Sequence, residues 1–208
     1  MTQQLKKIKL NQNSKLISLD IKDMYTNIPV SETIYIINLQ LQKLQENPNF
    51  IKQLINSLQV VLKQNYFTFN EDFYNQMDGL PMGSPISPIM SEIFLQYLED
   101  QYIEKIKKQF NITYYCRFVD DIFIIYENSN DILHKFNNIH SKLQYTLERQ
   151  QNNSLNYLDL NIQNISCNQI YKFQYKIFRK PTTVLQNFQL TTIPITLILI
   201  NGQIYIFY

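Results

Sequence analysis

The sequence predicts an α+β fold, an antiparallel sheet with helices packed on one face. Three observations predict it. Leu16-Ile-Ser-Leu-Asp-Ile-Lys22 alternates apolar and polar residues in period two, the mark of a strand with one polar face. Tyr114-Tyr-Cys-Arg-Phe-Val119 and Ile122-Phe-Ile-Ile-Tyr126 are strand-like runs separated by Asp120-Asp121, which predicts a hairpin with a carboxylate pair at its tip. The intervening helical patterns do not follow the regular strand–helix alternation of a doubly wound sheet.

In the first strand Ile17, Leu19 and Ile21 point one way, and Ser18, Asp20 and Lys22 the other. Asn27-Ile-Pro29 breaks the strand. Ser31 is expected to cap a helix to about Gln45, with Ile34, Ile37, Leu41 and Leu44 as its apolar stripe, ended by Pro48. A second helix fits Phe50 to Lys63. Tyr66-Phe-Thr-Phe69 and Phe73-Tyr74 read as short strands around Asn70-Glu-Asp72. Gly79-Leu-Pro-Met-Gly-Ser-Pro-Ile-Ser-Pro88 follows, holding two of only 3 glycines and three of 7 prolines. A long helix is expected from about Pro88 to Gln109, burying Ile89, Ile93, Tyr97 and Ile103. After the Asp120-Asp121 hairpin, Asp131 to Leu147 is expected to be helical. Tyr157-Leu-Asp-Leu-Asn-Ile162 and Ile170 to Phe178 are expected as paired strands. The apolar tail from Val184 has no clear place in this order.

Composition bounds the function. A chain of 208 residues fits one domain, and 45% hydrophobic content with many Ile, Tyr and Phe excludes classical disorder. Charged residues are only 17%; the polarity is carried by 22 Gln and 23 Asn, and Ala is absent. A net charge of +2 permits a nucleic-acid partner without marking a strongly basic module. Cys116 and Cys167 are too few for a disulfide framework or a thiolate zinc site. The start of the chain does not read as a signal peptide. Its most apolar run, Ile193 to Ile200, falls short of the roughly 20 residues that span a bilayer.

If their strands are neighbours, Asp20 and Asp120 can meet on the open face of the sheet. Adjacent carboxylates repel, and a cation relieves that repulsion. Hard oxygen ligands favour Mg²⁺ or Mn²⁺ over zinc. A pair of such ions can activate one oxygen and stabilise the leaving oxygen of a phosphoryl group. An Asp-Asp pair in a turn is also ordinary turn chemistry. The order of motifs weighs against that reading: Asp20 with an aromatic five residues on, the Gly-Pro segment, then Val-Asp-Asp between apolar runs.

That order resembles the reverse transcriptases, and closely those of Penelope-like retroelements, relatives of telomerase catalytic subunits. The matching stretches are Ser18-Leu-Asp-Ile-Lys-Asp-Met-Tyr-Thr-Asn-Ile-Pro29, Gly79 to Pro88, Arg117-Phe-Val-Asp-Asp-Ile-Phe123, Tyr157-Leu-Asp-Leu160 and Phe178-Arg-Lys-Pro-Thr182. The resemblance implies a polymerase palm-like fold over residues 16–182, after a short lead at 1–15 and before a divergent tail at 183–208. It implies an RNA-directed DNA polymerase that adds dNTPs to a primer 3′-hydroxyl by two-metal phosphoryl transfer.

Under the resemblance, Asp20, Asp120 and Asp121 are the catalytic carboxylates and hold two Mg²⁺ ions, with Mn²⁺ as a substitute. Ile21 would add its backbone carbonyl to the metal shell, and Asp121 is the less strictly required acid. Tyr25 matches the aromatic that excludes a 2′-hydroxyl. Gln76, Gly83 and Ser84 fall at nucleotide-contacting positions, with Gly83 expected to let backbone approach closely. Pro85, Arg179 and Lys180 fall where primer or template is contacted. Arg117 is expected either to brace a carboxylate or to face solvent, and Cys116 to be a core residue. His134 and His140 read as ordinary residues on one helix.

The partners implied are an RNA template, a DNA primer and dNTPs, with no membrane and with missing fingers and thumb segments or a partner subunit. The localisation implied is the nucleus. The fingers and thumb of the family are expected to be largely missing, so that this stretch alone would hold triphosphate and duplex poorly. Two other functions stay open: a catalytically dead palm-derived domain that binds nucleic acid or a partner, and an RNA-directed RNA polymerase.

Overall fold

The computed structural model describes residues 5, 8, 10–127, 131–167, 170–179, 196–200 and 203–207. Two compact units divide the chain, 1–178 and 179–208. The first carries every element up to Ile177. Of the second, the described part is a hairpin, β10 (Thr196–Ile200) with β11 (Gln203–Phe207).

The first unit is built on a four-stranded antiparallel sheet in the order β4-β5-β1-β6. Its strands are β1 (Lys15–Ile21), β4 (Ile112–Phe118), β5 (Asp121–Tyr126) and β6 (Tyr145–Arg149). Strand β5 is apolar on both faces, which suits an interior strand. Ile122, Ile124 and Tyr126 face one core with Ile17, Leu19 and Ile21, while Phe123 and Ile125 face a second core with Leu16. Burying each such side chain contributes about 1.5–3 kcal/mol.

Helices cover the first face. They are α1 (Met24–Asn27), α2 (Val30–Lys43), α3 (Pro48–Lys63), α4 (Ser87–Phe110) and α5 (Ile132–Asn137). Helix α4 turns Met90, Phe94, Leu95, Leu98, Ile103 and Ile106 into the core. A three-stranded sheet covers part of the opposite face: β7 (Ser154–Tyr157), β8 (Leu160–Cys167) and β9 (Ile170–Ile177). It seats Leu155, Tyr157 and Ile162 against Leu16, Phe123 and Ile125. A separate hairpin, β2 (Tyr66–Phe69) with β3 (Asp72–Asn75), is exposed along its length. Its turn places Asn70 and Glu71 at positive φ, as a two-residue hairpin requires. The expected α+β sheet with helices on one face is what forms.

Several local expectations are corrected. Asp131 to Leu147 is not one helix. Helix α5 stops at Asn137, and Tyr145–Arg149 becomes the edge strand β6 beside β1. Asn137 pins the change, since its Oδ1 accepts the Tyr145 N–H at 2.7 Å. His140 therefore lies beyond the helix, and its Nε2 meets Glu32 Oε2 at 3.1 Å.

Ser31 does not cap α2; Pro29 holds that position, and Asp78 reaches in to accept the Val30 N–H at 3.4 Å. Of the expected α2 stripe, Ile37 is buried and Ile34 and Leu41 pack part-buried against the core, but Thr33 and Ile36 are the most deeply buried and Leu44 is 71% exposed. Pro48 opens α3 behind the Asn47 cap rather than merely ending α2. Ile89 is exposed, because Met90 and Phe94 set the inward face of α4. Tyr157 ends β7 and Leu160 opens β8, so Leu158-Asp159 is a two-residue turn with Leu158 at φ +52° and not strand, while Leu160 onward pairs with Ile170–Ile177 as expected.

Candidate active site

Strand β1 ends where the β4–β5 hairpin turns. Asp20 and Asp121 are Cα partners across the ladder. One step further, the Ile21 N–H donates to the Asp120 carbonyl at 3.1 Å. The hairpin tip thus lies against the end of β1, and residues 100 positions apart come together. An open pocket of about 360 Å³ forms there, lined by Asp20, Ile21, Asp23, Met24, Tyr25, Thr26, Met82 and Asp120. Four residues singled out from the sequence, Asp20, Ile21, Tyr25 and Asp120, share this pocket.

Asp121 is not in the lining. Its carbonyl accepts the Tyr157 hydroxyl at 3.1 Å, and its charge is among the causes that raise the Tyr157 phenol after burial and Cys116. Tyr25 stands beside the acid at the tip. Partial burial raises its phenol first, and the Asp120 charge adds to that, against an opposing side-chain hydrogen bond with Ser91. The ring is therefore neutral across the physiological range.

The Gly79–Pro88 loop docks on α1. The Leu80 N–H donates to the Tyr25 carbonyl at 2.7 Å. Gly79, at φ +84°, lies so close that an added Cβ would stand 2.8 Å from Thr26 Cα. A close approach of the chain's own backbone is made at Gly79. Gly83 has φ +91° with nothing within 4 Å of an added Cβ, so within the described chain its side is open.

Ser84 supplies the carbonyl that accepts the Ser87 N–H at 3.2 Å, and Pro85 is exposed. Neither lines the pocket, nor does Gln76, whose side chain donates to the Asp78 carbonyl at 2.8 Å. Arg179 is exposed, and Lys180 lies outside the described residues. Cys116 packs part-buried against the second core, and burial raises its thiol. Arg117 does not face solvent: it is 6% exposed and bonded to Glu92 and Glu99.

Four lining residues were not anticipated as site residues: Asp23, Met24, Thr26 and Met82. Asp23 adds a third acid at φ +48°, Met82 closes the loop side, and Thr26 underlies Gly79. Ser91 was missed as the partner of Tyr25. Asp23 and Thr26 fall inside the stretch Ser18 to Pro29, so their place beside Asp20 was a signal within reach.

The donor set is all oxygen, which fits Mg²⁺ or Mn²⁺ and not a soft-metal site. Among the described residues no group of three or more His, Cys, Asp or Glu is placed to hold a metal ion alone. Mg²⁺ is commonly bound by one or two carboxylates, with substrate phosphates and water completing the shell.

A family model described as "Reverse transcriptase (RNA-dependent DNA polymerase)" matches residues 1–155. The telomerase reverse transcriptase of Oxytricha trifallax is 24% identical over 119 residues, 54% of this chain and 10% of that protein. The COX1/OXI3 intron 2 protein of Saccharomyces cerevisiae is 30% identical over 96 residues, 46% of this chain and 10% of that protein. Apo telomerase from Candida tropicalis, truncated from its C-terminal domain, has a similar fold at TM-score 0.55 and 14% identity, covering 79% of this chain and 35% of that one. Telomerase from Candida albicans with a fragment of telomeric RNA gives 0.53 and 15%, covering 79% and 31%. The chain thus spans a tenth of the length of these curated relatives.

Proposed function

We propose that this chain, which belongs to the reverse transcriptase (RNA-dependent DNA polymerase) family, adds deoxynucleotides to a primer 3′-hydroxyl on an RNA template by two-metal phosphoryl transfer. The observation that carries the reading is the convergence of Asp20 and Asp120, from separate strands, on one open pocket beside Tyr25. The finer placement among Penelope-like elements rests on the five sequence stretches alone.

In this reading Asp20 and Asp120 would hold the ions, with the Ile21 carbonyl as a further oxygen. The ions, when bound, stabilise the charge that develops on the attacking and leaving oxygens. Tyr25 presents its ring where the incoming sugar lies and excludes a 2′-hydroxyl by contact. The neutral phenol adds no negative charge near the triphosphate. Gly83 leaves its side of the loop open for a base or backbone to approach. Asp121 supports the end of β5 from the Tyr157 side.

Primer extension by the full chain on an RNA template, with Mg²⁺ or Mn²⁺, tests this. Extension that disappears in Asp120→Asn supports the polymerase. No extension in a folded sample would transfer the case to a palm-derived binding domain without catalysis. Equal use of ribonucleotides would favour the RNA-directed RNA polymerase instead.

A further inference from the structure

Arg117 sits on β4, one residue from the catalytic turn, and its side chain is 6% exposed. Every one of its five donor hydrogens has an acceptor. Nε donates to Glu99 Oε1 at 2.7 Å, and Nη2 to Glu99 Oε2 at 3.2 Å. Nη1 donates to Glu92 Oε2 at 2.7 Å, and Nη2 to Glu92 Oε1 at 3.0 Å. The fifth donor, on Nη1, goes to the Val119 carbonyl at 3.1 Å. Glu99 also accepts the Tyr115 hydroxyl at 2.6 Å.

Two features make this more than a salt bridge. A buried ion cluster is weak support for stability, because desolvation offsets much of its attraction. This one is aimed at a strained residue. Val119 has φ +57°, and a β-branched residue is a genuine outlier there. Such strain persists only where the surroundings over-determine it. Here the restraint falls on the carbonyl of Val119, whose peptide plane continues directly into Asp120. The two glutamates sit on α4, the helix that begins at the Gly79–Pro88 loop. One guanidinium thus ties the acid-bearing turn to the helix behind the nucleotide loop.

We propose that Arg117 is a positioning residue for the Asp120 carboxylate. Clamped by Glu92 and Glu99, it holds the Val119 peptide in the orientation that turns Asp120 into the pocket. The functional meaning rests on the polymerase reading above; the restraint on the turn does not. Lysine cannot replace it, since an ammonium has no planar fork to span two carboxylates and a carbonyl.

The test uses the full chain with Arg117→Lys and three readouts: thermal melting, hydrogen exchange over residues 118–122, and Mn²⁺ binding followed by electron paramagnetic resonance. Asp120→Asn serves as the binding control. The expected result is a folded variant whose exchange quickens at the turn by tenfold or more. Exchange in β1 and α4 stays at the wild-type level, and Mn²⁺ affinity falls by about tenfold. A purely structural role would loosen β4, β5 and α4 together, and that outcome overturns the proposal. So does a folded variant with unchanged turn exchange and unchanged Mn²⁺ affinity. If wild type binds no Mn²⁺ while the turn still loosens selectively, the polymerase reading fails and the positioning of the turn stands. Should Arg117→Lys unfold, Glu92→Gln, which keeps the Glu99 pair, takes its place with the same three readouts: selective loosening of the turn supports the clamp, and uniform loosening or no change overturns it.

Discussion

Asp20 and Asp121 stand directly opposite each other across the β1–β5 ladder. The adjoining bond, Ile21 N–H to the Asp120 carbonyl, makes theirs the non-hydrogen-bonded kind of pair, with Cα atoms about 4.5 Å apart and side chains close. Like charges facing each other at such a site oppose strand pairing. The pairs before them in the register are Leu19 with Ile122, Ser18 with Phe123 and Ile17 with Ile124, which are free of that conflict. The ladder therefore gathers its acids at one end, where the hairpin turns and Asp120 enters the pocket. Proteins tolerate such a local conflict chiefly at functional sites.

The three acids should not be equivalent. Asp20 and Asp120 line the pocket, whereas Asp121 does not; its backbone carbonyl accepts the Tyr157 hydroxyl. Asp20→Asn and Asp120→Asn are each expected to lower single-turnover extension on the order of 10³-fold, the loss typical of a main electrostatic stabiliser. Asp121→Asn should lose clearly less. Circular dichroism on all three checks the fold. An Asp121 variant as damaged as the Asp120 variant would move the metal assignment.

Tyr25 should act through its ring and not its hydroxyl. Tyr25→Ala is expected to lower the ratio of kcat/KM for dNTP over rNTP by roughly 100-fold, the scale of a steric discrimination. Tyr25→Phe keeps the ring and gives up the contact with Ser91, so its ratio should stay near wild type. A Phe variant as permissive as the Ala variant would place the selectivity in the hydroxyl.

The site was more legible in the sequence than the sheet around it. Asp20 and Asp120 could be placed at strand ends because period-two alternation and a turn between apolar runs are local signals, whereas Tyr25 was singled out only by the resemblance of its motif. Strand β6 was hidden because its neighbours look helical and its reason to be extended is tertiary: β1 needs a second partner. The α2 cap was hidden for the same kind of reason, since Asp78 supplies it from across the chain. The contact of Gly79 with Thr26 was hidden because composition shows where glycines are, not which one meets the chain's own backbone. The Arg117 clamp could be guessed only as bracing some carboxylate, since Glu92 and Glu99 lie on another element.

Alkaline pH should unfold the chain. Burial, followed by the Glu99 charge, raises the Tyr115 and Tyr145 phenols above 10.0, and burial followed by Cys116 raises Tyr157. Below about pH 10 all three are protonated in both states, and the stability they contribute is fully present. Above it the unfolded chain releases these protons and the folded chain keeps them, so stability falls with pH. The slope is about 1.4 kcal/mol per pH unit for each group. Urea midpoints should begin to fall as the Cys116 thiol of the unfolded chain ionises near pH 9.0 and drop more steeply above 10, with a shallower drop in Tyr115→Phe.

The two glycines of the Gly79–Pro88 loop should separate stability from function. At Gly79 a methyl group would collide with the Thr26 backbone, and neither segment can yield without moving Tyr25. Gly79→Ala is expected to cost more than about 3 kcal/mol, combining overpacking with strain at positive φ. Gly83→Ala meets open space, so its stability cost should be the strain alone, about 1–2 kcal/mol. Yet its methyl projects where the proposal places a base or nucleotide, and the KM for dNTP should rise well beyond what the lost stability explains. Urea midpoints and extension kinetics on the same two variants check both halves. If Gly83→Ala extends primers with an unchanged KM, the open side of the loop is not where the nucleotide or template is held.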